Sequence, residues 1–409
     1  MSHSHSPAGV PPRNQSLDVL RGLAIVMVLF NHLEPFTVPM LPALSGPAGY
    51  VYWHVKSIGW TGVDMFFVLS GFLISGLLFK ELEQTGRLHL PRFWVRRAFK
   101  ILPSYWLLLA VLAFTGATHW LAAGSAASLA RSLAEHLLFA QNYLAHNPNG
   151  PTWSLAVEEH FYLLMPLLLW WLWPARQPRD SRAWRPLFTA FVVILAGIPL
   201  LRLAAAFHGL QVEDFRRTHF RLDGLTYGVL AQFLCRYHRS ALEPLRRHPA
   251  VALGASLALV SCGFFFGQGH PGMFIGGFTL LSIGYTVLLL TLYLNGCGRW
   301  EKTVVVRAAS HVGRWSYNIF LWNFFLWALP LPGYRPAQAW VAAHVAWAPG
   351  QLAAHFVVFA LFAIALGAAL TELFETPALN LRDRIRWRAR PGVGAADGRP
   401  VPSQAPQAP

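Results

Sequence analysis

Long apolar runs dominate this chain, and short polar or basic segments interrupt them. Hydropathy along the sequence predicts ten spans, at about 17–33, 58–79, 101–118, 155–173, 187–207, 220–235, 250–267, 273–294, 315–332 and 352–373. Several approach the roughly 20 residues that a bilayer-spanning helix needs. The first and sixth are short and carry charges. The connecting segments are short as well, the longest being about 119–152, and none is large enough for a soluble catalytic domain. The expected fold class is therefore all-α, a polytopic membrane protein of about ten transmembrane helices whose chemistry takes place among the helices. No internal repeat is visible.

Basic residues orient the spans. Taken alternately from the N-terminus, one set of segments carries 25 Lys and Arg, and the opposite set carries five: Lys56, Arg131, Arg216, Arg217 and Arg335. Cytoplasmic segments are the ones enriched in Lys and Arg, so both termini are expected in the cytoplasm. The expected organisation is a disordered start over 1–16, a membrane domain over 17–377, and a tail over 378–409 that is basic and then disordered.

Composition sharpens this picture only slightly. Charged residues make up 12% of the chain, against roughly a quarter in an ordinary soluble domain. The net charge of +15 lies between hydrophobic runs, which points to the lipid bilayer and not to nucleic acid as the partner. Cys235, Cys262 and Cys297 have no paired spacing and read as small buried apolar residues. His3 and His5, among Ser and Pro, read as part of the disordered start, and no metal is expected. The first apolar run contains Asp18 and Arg21 and lacks a small-residue cleavage site, so it is expected to remain as a helix.

Ionisable residues inside the spans carry the chemistry, because a charge at the centre of a membrane helix is costly and calls for a function. Arg21 and His32 are eleven residues apart on the first helix, so they share one face roughly 16 Å apart along the axis. In GWTGVDMFFVLSGFLISG (59–76), Gly59, Gly62, Gly71 and Gly76, with Ser70 and Ser75, permit close helix approach. Asp64 lies at about the depth of His32 and is its natural partner, orienting the imidazole and raising its basicity. Glu158 or Glu159, adjacent on the fourth helix, could serve His32 equally well, and Asp64 could instead bridge to Arg221. Arg221 and Asp223 open the sixth helix. Arg97 and Lys100, spaced i, i+3 in RRAFKILPSY (96–105), share a face suited to phosphates.

In this order the motifs resemble the acyltransferase-3 family of membrane proteins, which O-acylate bacterial sugars and some macrolides. Arg21 to His32 matches its R-x10-H element. GVDMFFVLSGFLI (62–74), RRAFKILPSY, WSLAVEEHFYL (153–163), RLDGL (221–225), GRWSYNIFLW (313–322) and FETP (374–377) look like its other blocks, over most of residues 16–377. The resemblance implies a bacterial inner- or plasma-membrane enzyme that uses acyl-coenzyme A, most simply acetyl-coenzyme A, as donor. It implies His32 as catalytic histidine with Arg21 as companion, and Arg96, Arg97 and Lys100 toward the coenzyme A. Asp64, Glu158 and Glu159 join the candidate catalytic set. Arg221, Asp223, Ser316, Tyr317 and Asn323 are the candidate substrate-binding residues. Lys100 stands where the family usually has Arg, Asn323 where many members have His, and His160 where Gln or Phe is common.

The expected activity is transfer of an acyl group to a hydroxyl of a carbohydrate or lipid-linked sugar, with His32 as general base or as the site of an acyl-histidine. Some relatives carry a fused esterase-like domain. This chain is expected to acylate its acceptor directly or to hand over to a separate extracytoplasmic partner protein. The competing class is a polysaccharide or lipid-linked sugar transporter, for which intramembrane charges are also natural.

Overall fold

The computed structural model describes residues 14–33, 56, 58–114, 125–144, 152–173, 185–209, 212–267, 269–326, 329 and 331–385. The longer helices are α1 (Gln15–Asn31), α2 (Gly62–Thr85), α3 (Leu90–Phe114), α4 (Ala126–Leu137), α5 (Trp153–Leu172), α6 (Arg185–Phe207), α7 (Leu222–Tyr237), α8 (Pro249–Val260), α9 (Phe278–Asn295), α10 (Val304–Asn323), α11 (Tyr334–His344), α12 (Ala348–Leu370) and α13 (Thr376–Arg384). No strand occurs among the described residues, so the chain is all-helical there.

Six helical stretches among the described residues are long and apolar enough to cross a bilayer: Gly59–Thr85, Leu90–Phe114, Trp153–Leu172, Arg185–Phe207, Met273–Asn295 and Pro349–Arg384. A seventh arises if Arg239–Arg247 and Pro249–Phe265, which meet at a 95° bend, count as one span. Ten were expected. The other expected spans are helical but short or polar: α1 has 17 residues, α7 has 16, and α10 carries Arg307, His311 and Arg314. The 119–152 segment, expected as a loop, contains α4, whose Ser125 cap forms a reciprocal capping box with Ser128. The Tyr105 hydroxyl donates to the carbonyl of His136 at 3.0 Å and ties α4 to α3. Helix begins at Gln15 and continues to Arg384, beyond both expected edges of the membrane domain. The disorder expected for 1–13 and 386–409, with His3 and His5, falls outside the described residues.

Local sequence explains the helix ends. The Asn14 side chain accepts from the Ser16 amide at 3.0 Å and starts α1. Gly86, at φ 69°, closes α2 by donating its amide to Leu82 O, a left-handed stop that a side chain would strain.

Two backbone-on-backbone crossings hold the bundle. A Cβ on Gly22 of α1 would stand 2.2 Å from Ala309 O of α10, and one on Gly313 of α10 would stand 1.8 Å from Asp18 O. Gly71 of α2 and Gly228 of α7 make the same kind of crossing, 1.9 Å from Leu225 O and 2.1 Å from Val68 O. Gly59 and Gly62 lie against Met27 and Ala24 of α1, so the small-residue face of α2 serves packing, as its pattern predicts. α1 is thereby clamped between α2 and α10.

Gly71→Ala or Gly228→Ala is expected to force α2 and α7 apart and to lower the yield of monodisperse, detergent-solubilised protein severalfold. Gly254 of α8 has nothing within 4 Å of its Cβ position. Gly254→Ala should leave the yield intact and raise thermal stability by up to about 1 kcal/mol. Fluorescence-detected size exclusion after heating reads both effects, and equal tolerance of the three substitutions would contradict the crossing.

Candidate active site

α3 brings a basic stripe to the end of the bundle where the chain's Lys and Arg concentrate. Arg92, Arg96 and Lys100 recur every four residues, with Arg97 three before Lys100, and together they form one wall. A cleft of about 380 Å³ is lined there by Lys80, Arg92, Arg96, Arg97, Lys100 and Arg382, with Glu81 as the acid in its lining. Behind it, a cavity of about 240 Å³ runs between α1, α2, α3, α5 and α10. Arg97 and Lys100 line both spaces, so the two are neighbours across one pair of cations. Arg96 faces the outer cleft alone.

The inner cavity gathers Arg21, Ser70, Arg97, Lys100, Glu158, Tyr162, Arg314, Ser316 and Tyr317 around an apolar end made by Val63, Phe66, Phe67, Phe320 and Leu321. Arg21 Nη1 is 3.3 Å from Asp18 Oδ1, one turn away on α1. Lys100 is ion-paired with Glu375. Arg97 and Arg314 form no ion pair among the described residues. Arg97 is flanked by the rings of Phe93 and Tyr162, 5.8 and 6.0 Å from their centroids, and its buried Nε has no hydrogen-bond partner. Glu158 accepts hydrogen bonds from Ser70 Oγ at 2.9 Å and Tyr162 Oη at 3.0 Å. Glu159 points elsewhere on α5, as the 100° step between neighbours requires, and its buried Oε1 has no hydrogen-bond partner. The Tyr317 hydroxyl donates to Ile101 O at 2.7 Å, so the phenol ties α10 to α3. Hydropathy did not single out Arg314, because it sits at the edge of a predicted span, where a basic residue satisfies the positive-inside rule. The signal that could have found it is its position in GRWSYNIFLW, one helical turn from Tyr317.

His32 closes the C-terminal end of α1. Its Nδ1 lies 2.6 Å from Asn323 Oδ1, and its ring meets Phe324 edge-on at 5.2 Å. The Asn323 Nδ2 donates to Ile319 O at 3.0 Å and to Phe320 O at 2.7 Å. Those two carbonyls take the amide's donor side, which turns its acceptor oxygen to the ring. The neutral imidazole then carries its proton on Nδ1, and Nε2 is its basic nitrogen. Asn323 therefore orients the histidine. The amide sets the tautomer without adding a negative charge.

Two of the carboxylate partners expected for His32, Glu158 and Asp64, are bonded elsewhere. Asp64 Oδ1 accepts from Arg221 Nη2 at 2.6 Å, with both side chains 3% exposed. Asp64 lies in the first turn of α2 on the side packed against α7, whereas His32 turns toward α10. A guanidinium also satisfies a buried carboxylate in both charge and geometry. Arg221 stacks over Phe278, 3.9 Å from the ring centroid. Beside this pair, Arg202 Nη2 donates to Asp223 Oδ2 and Thr279 Oγ1, each at 2.6 Å. Arg202, fully buried toward the C-terminal end of α6, is a second site that hydropathy did not single out, although a lone Arg inside an apolar run is itself the signal. Asp64, Arg221 and Asp223 thus form a buried structural cluster with Arg202 and do not line either cavity.

The chain matches the model of the acyltransferase domain over residues 14–372. It is 25% identical over 376 residues to the O-acetyltransferase OatA of Staphylococcus aureus strain NCTC 8325 / PS 47, a match that covers 85% of this chain and 59% of that protein. The OatA protein of strain MRSA252 is similar to the same extent. The chain therefore spans less than two thirds of the length of these curated relatives. No solved structure matches it.

Removing one partner of a buried ion pair leaves the other charge uncompensated, at about 3–5 kcal/mol. Asp64→Asn and Arg221→Met are each expected to lower thermal stability by that order, and the double variant Asp64→Asn/Arg221→Met to recover most of the loss. Strictly additive losses in a thermal double-mutant cycle would show that the two side chains do not act as a pair.

Proposed function

This chain belongs to the acyltransferase domain family, and on that premise we propose that it is an integral membrane O-acetyltransferase. It moves an acetyl group from acetyl-coenzyme A to a hydroxyl of a carbohydrate or lipid-linked sugar. The observation that carries this reading is the pair of cations shared by the two cavities. A polyanionic donor would place its nucleotide phosphates in the outer cleft, against Lys80, Arg92, Arg96 and Arg382. Its thioester arm would then pass between Arg97 and Lys100 into the inner cavity, where Arg314 adds a further guanidinium. Guanidinium and ammonium groups suit phosphate oxygens. The names of the Staphylococcus aureus relatives support acetyl transfer to oxygen.

His32 is the base of the reaction. Nε2 takes the proton of the acceptor hydroxyl as that oxygen attacks the thioester carbonyl. Collapse of the tetrahedral adduct breaks the C–S bond, and the imidazolium returns the proton to the departing sulfur of coenzyme A. His32 is not among the residues lining the inner cavity. The Phe66 and Phe320 rings, edge to face at 5.8 Å, stand at the cavity's apolar end, with Phe320 one turn before Asn323, and the acetyl end has to pass them to meet the base. Arg21 lies at the other end of the same helix face and binds the donor. Glu158, held by Ser70 and Tyr162, is the one acid among the described residues lining the inner cavity, and it keeps the cations there from repelling one another apart.

With both termini in the cytoplasm, the donor clefts lie on the side where coenzyme A is available, in a bacterial inner or plasma membrane. The acceptor, or a separate extracytoplasmic protein that delivers it, approaches from the opposite side.

Transfer of label from acetyl-coenzyme A by purified, detergent-solubilised protein tests the reading directly, and an intact thioester after incubation with acceptor would overturn it. His32→Ala is expected to lower transfer by at least about a hundredfold while the protein accumulates normally. Asn323→Leu should lower kcat by up to about a hundredfold through misorientation, with the donor KM unchanged. Arg97→Ala and Arg314→Ala should each raise the donor KM and leave the acceptor KM close to wild type. Equal rises in both KM values would mean that these arginines support the fold alone.

A further inference from the structure

Lys100 differs from the other buried cations in what surrounds it. Arg221 and Arg202 are paired within the protein and almost fully buried, and neither lines the outer cleft or the inner cavity. Lys100 lines both cavities, and its side chain is 32% exposed, although its partner Glu375 is only 5% exposed. Its side chain therefore borders the space that an incoming anion would occupy.

Glu375 is held from two directions. Oε1 takes Lys100, and Oε2 accepts from Asn318 Nδ2 at 3.1 Å. Asn318 is fully buried on α10 and also donates to Thr371 Oγ1 at 2.9 Å. Thr371–Glu375 forms a single π-helical turn between α12 and α13. Such a turn inserts one extra residue into the helix and rotates the next helical segment, a feature that recurs at functional sites. The carboxylate thus keeps a hydrogen bond to Asn318 if Lys100 leaves it.

We propose that Glu375 is a positioning residue that sets donor affinity: it holds Lys100 in the free enzyme and gives it up to the donor's phosphates. This rests on the reading of the two cavities as the donor site. The Lys100 ammonium can bind a carboxylate or a phosphate, and its three hydrogens point where the strongest anion lies. While Glu375 occupies it, Arg21, Arg97 and Arg314 are the cations offered to the donor in the inner cavity. Each donor molecule therefore binds against an internal competitor, and its apparent affinity falls by the fraction of time that Lys100 is available.

The test is binding of coenzyme A to the purified full chain by isothermal titration, together with the KM for acetyl-coenzyme A. Glu375→Gln keeps the shape and removes the charge, and is expected to tighten Kd about five- to tenfold with a matching fall in KM. Glu375→Asp keeps the charge on a shorter arm that reaches Lys100 less well, and should tighten Kd about two- to threefold. In a Lys100→Met background, Glu375→Gln should change Kd by less than about twofold, because no cation remains to be released.

Weaker or unchanged binding in both Glu375 variants overturns the proposal. So does an equal tightening with and without Lys100, which would reduce Glu375 to simple repulsion of phosphate. A wild-type protein that neither binds coenzyme A nor transfers label overturns the donor reading and this inference with it. Wild-type binding with no response to Glu375 removes the inference alone.

Discussion

An ionisable group inside an apolar helical bundle is costly unless another charge or a set of hydrogen bonds compensates it. That constraint divides the charges of this protein into two populations. Asp64 with Arg221 and Asp223 with Arg202 are closed on themselves, nearly inaccessible, and serve to lock α2, α6 and α7 together. Arg97, Lys100 and Arg314 lie along cavity walls, where water or a ligand can compensate them. A buried pair contributes little net stability over an apolar replacement but is strongly specific, because breaking it is expensive. The first population therefore links specific helices, and the second lines the cavities that the proposed donor would enter.

Helix approach turns this sorting into a site. Gly22 and Gly313 allow α1 and α10 to cross with their backbones in contact, and that crossing carries Asn323 to the end of α1, where it meets His32. The same helix holds Arg21 over the inner cavity, about three turns away. His32 and Arg21, the base and one of the donor-binding cations of the proposed reaction, thus share one helix, which is clamped at two positions that have no side chain.

Asn323 also shows how a departure from a family pattern can be read. Where the resemblance leads one to expect a histidine, an amide with both hydrogens bonded to backbone carbonyls supplies an oriented acceptor for His32 Nδ1. Orientation and tautomer are set by the amide, while Asp64, the carboxylate expected beside the ring, is bonded to Arg221 instead.

The sequence by itself determined the helical class, the small-residue face of α2, the basic stripe on α3 and the family, because each depends on local period or on motif order. Pairing in space was not legible. Asp64 stands at the same expected depth as both His32 and Arg221, and depth alone cannot choose between them. The rotation of α2 about its axis, set by the Gly71 and Gly228 crossing, turns Asp64 toward Arg221. Along the chain Arg314 is one more interfacial cation, and it gains a role only because α10 faces α3 across a cavity. The contact between Lys100 and Glu375, 275 residues apart, arises only through the π-turn before α13 and the packing of that turn on α3. Hydropathy and spacing report what each helix is, whereas which charges neutralise one another depends on helix rotation and crossing, which only the packed bundle decides.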